Sequence, residues 1–101
     1  MSEQGALHLV SRSLQGSRAL QSCLEYCEPG DTVLFIEAGV ASMPWLDGAA
    51  IAEKQVSVLW LEADVLARGL APLAAQQSCE LVDDEGFVDL VAQHAPIHTW
   101  T

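Results

Sequence analysis

Residues 32–36 read TVLFI, a run with no polar alternation, bounded by Pro29-Gly30-Asp31 before it and Glu37-Ala38-Gly39 after it. A strand with one solvated face alternates apolar and polar residues. An unbroken run suits a strand covered on both faces, as in a parallel sheet. This run therefore predicts a central sheet with helices on each side. Shorter β-like runs stand at residues 6–10 (ALHLV), 56–61 (VSVLWL), 79–83 (CELVD) and 97–100 (IHTW).

Helical patterns lie between these runs. After Ser17, a plausible N-cap, Leu20, Cys23, Leu24 and Cys27 fall at i, i+3, i+4 and i+7, one face of a helix that Pro29-Gly30 must end. Residues 44–53 predict a short helix, although Gly48 weakens it. Residues 62–70 predict another, with Gly69 in the C-cap region, and residues 72–77 a further piece. Residues 84–94 begin with acidic residues, which favours a helix start, and place Phe87, Val88, Leu90, Val91 and His94 inward. Strands alternating with helices give an α/β fold: one three-layer domain, residues 1–101, with a mainly parallel sheet of about five strands and helices on both faces.

Charge narrows the function. Four Lys plus Arg stand against fourteen Asp plus Glu, a formal net charge of −10. Such a surface repels phosphate backbones and anionic membranes, so neither direct nucleic-acid binding nor a membrane partner is expected. The first ten residues carry no basic, apolar leader pattern, which gives a cytoplasmic expectation. Three cysteines without an export signal read as reduced thiols.

In open α/β sheets the favoured site lies beyond the C-terminal ends of the strands, here near Ser11, Glu37-Ala38-Gly39, Glu62 and Asp83. No phosphate-binding glycine loop and no nucleophile elbow occurs there, and no cofactor is expected. Cys23 is the first candidate for chemistry, because a thiolate is both a nucleophile and a sulfur acceptor. It also lies on the apolar stripe of its helix, and spacing alone favours reading it as a small buried hydrophobe. Cys27 and Cys79 read as structural. The spacing of Cys23, Cys27, Cys79, His8, His94 and His98 matches no zinc pattern, so no metal site is expected. His8 and His98 read as satisfied sheet residues, and His94 as a helix C-terminal residue. The carboxylates Asp83, Asp84, Glu85 and Asp89 read as a solvated helix start. Exposed tryptophan is costly unless it anchors an interface, and Trp45 and Trp100 point to partner subunits.

Several runs together resemble the DsrH/TusB family: Leu7-His8 with Ser11-Arg12-Ser13, the stretch EADVLARGL at residues 62–70, Val82-Asp83 followed by Glu85-Gly86-Phe87-Val88-Asp89-Leu90, and the closing Trp100. The resemblance covers nearly the whole chain. It implies a DsrE-like fold and a small subunit of a DsrEFH or TusBCD type heterohexamer. The other subunits would be DsrE/TusD-like and DsrF/TusC-like, and the sulfur carriers of TusA and DsrC/TusE type. The implied activity is persulfide transfer, serving either tRNA wobble 2-thiouridine synthesis or sulfur oxidation. The alternative is a non-catalytic subunit that completes an interface. The Ser22-Cys23-Leu24 context is similar to that of the DsrH cysteine, which makes Cys23 the candidate persulfide acceptor; TusB-type chains commonly have an apolar residue there. The chain departs from the family at residues 37–41, where EAGVA lacks the usual Asp and Tyr, and at Asp84, where an aromatic is common.

Overall fold

The computed structural model describes residues 5–101; residues 1–4, the start of the domain read as 1–101, lie outside the described residues. Five strands form one sheet: β1 (Leu7–Val10), β2 (Thr32–Phe35), β3 (Ser57–Leu61), β4 (Leu81–Val82) and β5 (Ile97–Trp100). Their order is β4-β3-β2-β1-β5, and every neighbouring pair is parallel. β2 is central and all four of its residues are buried, as its unbroken apolar run requires.

The helices are α1 (Ala19–Tyr26), α2 (Gly48–Glu53), α3 (Glu62–Ala67), α4 (Ala71–Gln76) and α5 (Asp84–Gln93), with a 3-10 stretch at Glu37–Trp45. The chain steps outward from β1 to β4 and then returns past β1 to β5. Right-handed crossovers must then put α5 on the face opposite the other helices. The core divides accordingly. On one face Leu20 and Cys23 of α1, Val65 of α3 and Ala74 of α4 pack on Val10, Val33, Phe35 and Trp60, with Phe35 and Trp60 stacked at a centroid distance of 4.2 Å. On the other, Phe87 and Leu90 of α5 pack on Leu7, Leu34 and Leu59.

Three expectations need correction. Residues 44–53 are not one helix. Pro44 and Trp45 belong to the 3-10 stretch, and α2 starts only at Gly48, because the Asp47 carboxylate accepts the Ala49 and Ala50 N–H groups and caps it there. The inward face of α5 is narrower than its pattern. Phe87 and Leu90 meet the sheet, whereas Val88, 64% exposed, and Val91 face out. The edge strand β4 spans two residues rather than five, pairing only with Trp60 and Leu61.

The exit from β2 is tight. Glu37 has a positive φ of 50°, and its N–H donates to Asp64 at 2.6 Å. A Cβ at Gly39 would collide with the Val10 carbonyl oxygen, so only glycine lets the 3-10 stretch pass this close to β1. No helix among the described residues is long and apolar enough to cross a membrane.

Candidate functional site

The α1 stripe predicted from spacing forms as read. Leu20 and Cys23 are buried, and Leu24 and Cys27 half-buried. Ser17 lies one residue before the geometric N-cap, Arg18, and its hydroxyl accepts the Ala19 N–H at 3.0 Å. At the other end Cys27 is the C-cap. Its backbone turns extended (φ −63°, ψ 146°) while its N–H still closes the last helical bond to the Cys23 carbonyl.

Four residues on one face place the two sulfurs together. Cys23 is a residue with no solvent exposure, and Cys27 Sγ lies 3.8 Å from its sulfur. That distance is a sulfur–sulfur hydrogen bond in which one thiol donates to the other. The contact holds the Cys23 thiol well above the ordinary thiol range, and burial adds to the effect. The same contact lowers Cys27, with help from Lys54 and against burial and the Asp31 charge. Lys54, at the end of α2, is far from Cys27 in sequence and is brought into its range by the fold. Cys79 is remote from this pair, and burial raises its thiol.

Beside the thiols is a buried polar network that the turn residues build. Asp31 follows Pro29-Gly30 and is itself buried. One of its oxygens accepts the Ala6 N–H at 3.0 Å, and the other accepts the Glu28 N–H at 3.1 Å and the His8 Nε2 hydrogen at 2.9 Å. Trp100 Nε1–H donates to His8 Nδ1 at 3.0 Å, which leaves Nδ1 without a proton and fixes the ring hydrogen on Nε2. Burial pushes the Asp31 carboxyl up, but the bonds from His8, Glu28 and Ala6 more than offset it, and the group sits below the usual carboxylate range. Tyr26 and His98 close the outer side: His98 stacks on His8 at 5.2 Å and meets the Tyr26 ring edge-on at 5.0 Å.

The fold does what spacing did not foretell and brings His8, Cys23 and Cys27 together, with their donor atoms within 4.8 Å of one another. Both ring nitrogens of His8 are already engaged, so a cation here would have to displace Trp100 or Asp31. The donor set fits a resident metal poorly.

This cluster sits at the N-terminal ends of the strands, since His8 is the second residue of β1 and Asp31 immediately precedes β2. It is thus at the opposite end of the sheet from the crevice near Ser11, Glu37, Glu62 and Asp83. The remaining candidates behave as ordinary structure. His94 is the C-cap of α5: Nδ1–H donates to the Leu90 carbonyl at 2.9 Å, so Nε2 accepts from the Thr32 hydroxyl at 3.2 Å. Asp83 caps α5 by accepting the Gly86 N–H at 2.8 Å.

A family model described as "DsrH like protein" matches residues 12–97. No curated protein matches the chain.

Proposed function

The chain belongs to the DsrH family, whose membership implies a subunit of a sulfur-relay complex, and on that premise we propose that it takes up and passes on a persulfide sulfur at the Cys23–Cys27 pair. The observation that carries this reading is the pairing itself. Two free thiols 3.8 Å apart give a sulfur acceptor a hydrogen-bonded neighbour at a half-buried, partly accessible position.

The partners proposed are DsrE/TusD-like and DsrF/TusC-like subunits in a heterohexamer, with carriers of TusA and DsrC/TusE type, in the cytoplasm. Exposed apolar side chains support an assembly: Trp45 is 59% exposed, and Val88 and Val91 of α5 are exposed as well. The net charge of −10 favours protein carriers over direct contact with RNA, whether the pathway is tRNA wobble thiolation or sulfur oxidation. Co-expression with DsrE-like and DsrF-like subunits tests the assembly. Incubating that complex with a persulfidated carrier tests the transfer; sulfur should reach this chain, and a complex that moves sulfur past it without labelling it would sink the reading.

One observation favours a second reading. The complete burial of Cys23 is what a structural subunit without sulfur chemistry would show. Alkylation of the folded chain separates the two. If neither Cys23 nor Cys27 reacts, alone or in complex, the structural reading stands.

A further inference from the structure

We propose that Cys27, and not Cys23, is the thiol that attacks the incoming persulfide, and that Cys23 is a positioning residue whose S–H donates to the Cys27 sulfur. This assignment rests on the relay reading above, and its first test does not.

Access comes first. Cys23 has no exposure and belongs to the buried cluster that includes Val10, Leu20, Val33 and Phe35, so a donor persulfide cannot reach its sulfur without opening the core. Cys27 is half-buried and sits where α1 ends and the chain turns outward. Charge follows access. When a pair in S–H···S contact loses one of its two protons, one sulfur keeps the other proton and its neighbour carries the charge, and burying an anion in apolar surroundings is far costlier than leaving it near water. The proton therefore stays on Cys23 and the charge on Cys27, the direction in which both thiols are also shifted. The Asp31 charge and the carbonyls at the α1 C-terminus oppose the anion, and Lys54 favours it. The result is a thiolate that is reachable yet not over-stabilised, and thiolate nucleophilicity falls as pKa falls. His8 is no base for either thiol, because Trp100 occupies Nδ1 and the Nε2 hydrogen is held by Asp31. The Cys27 proton leaves to solvent.

The step balances without an oxidant. The Cys27 thiolate attacks the outer sulfur of R–S–SH, a new sulfur–sulfur bond gives Cys27–S–SH, and the donor's own S–S bond breaks with its electron pair on the departing R–S⁻. The outward step is the reverse: an acceptor thiolate takes the outer sulfur and Cys27 leaves as a thiolate. The Cys23 S–H stabilises that same anion, so one hydrogen bond assists both loading and discharge, as a relay needs and a store does not.

The test uses the full chain with iodoacetamide and, separately, glutathione persulfide, each followed by peptide mapping. Iodoacetamide should label Cys27 well ahead of Cys23. Cys23→Ala should slow Cys27 labelling about threefold at neutral pH and move its pH midpoint up, the smaller thiolate population being partly offset by its greater nucleophilicity. Cys23→Ser, which keeps a donor, should retain most of the rate. A merely structural Cys23 would give the opposite, because a cavity beside Cys27 loosens the site and speeds labelling. Glutathione persulfide should add sulfur to the Cys27 peptide. Faster labelling at Cys23, sulfur on Cys23, or equal Cys27 rates in the Cys23→Ala and Cys23→Ser variants would overturn the assignment and leave the relay reading intact. Fast Cys27 labelling with sulfur on neither cysteine would overturn the relay reading, and the attack step with it.

Discussion

Asp31 is the residue whose loss should disturb this site most at least change in shape. Its carboxylate accepts from the Ala6 N–H, the Glu28 N–H and His8 Nε2. In Asp31→Ala the two backbone groups, both part-buried, recover some hydration. The His8 hydrogen does not, because Trp100 prevents the ring from moving its proton to Nδ1. An unsatisfied buried donor costs about 1–3 kcal/mol, and the two other bonds add about 0.5–1 kcal/mol each, for a total of roughly 2–5 kcal/mol. For a domain of this size that is a fall in Tm of roughly 10–40 °C. Asp31→Asn should lose about half as much. Its oxygen can serve His8 and Glu28 while its amide then faces the Ala6 N–H, donor against donor. The two variants also differ from wild type in pH dependence. The folded-state pKa of Asp31 is depressed, so its contribution is present above the unfolded carboxylate value of about 4 and is lost as pH falls through the folded value. The stability gap between wild type and Asp31→Asn should therefore be full at neutral pH and shrink below about pH 4. Urea unfolding followed by tryptophan fluorescence at a series of pH values measures it. An Asp31→Ala loss under about 0.5 kcal/mol, or a gap that does not change with pH, would refute the reasoning.

Two further perturbations test the frame around the site. Gly39→Ala drives a methyl group into the Val10 carbonyl oxygen and should cost about 2–3 kcal/mol by denaturant titration; a neutral outcome would mean that the 3-10 stretch does not pass against β1 as described. Trp100→Phe keeps an aromatic ring but removes the donor to His8 Nδ1. It should cost about 1 kcal/mol and shift the nitrogen-15 resonance of His8 Nδ1, which loses its donor while Asp31 still holds the hydrogen on Nε2; an unchanged nitrogen-15 imidazole spectrum would contradict the assigned bonding.

Much of the fold was legible because local pattern and tertiary demand agree. The unbroken run at residues 32–36 becomes the fully buried β2, and the spacing of Leu20, Cys23, Leu24 and Cys27 becomes the inner face of α1. The misreadings lie where one interaction overrides pattern. Asp47 starts α2 later than the apolar residues suggest, and α5 has only Phe87 and Leu90 on the sheet although its inward stripe includes two valines. The site was half visible. Cys23 could be named from its helix and was singled out by the family resemblance, whereas His8 read only as a satisfied sheet residue. The roles of Asp31 and Lys54 were hidden, because they depend on β1 lying beside β2 and on α2 returning near the end of α1. Cys27 read as structural because four-residue spacing says that two side chains share a helix face, not that their sulfurs come within 3.8 Å.

The most direct measurement is the intact mass of the chain after incubation with a persulfidated donor, wild type beside a variant carrying both Cys23→Ala and Cys27→Ala, each alone and with the subunits that co-purify. A gain of one sulfur atom in wild type and none in the double variant is the expected result. No gain in wild type in either setting, or the same gain in the double variant, would contradict a relay through this pair.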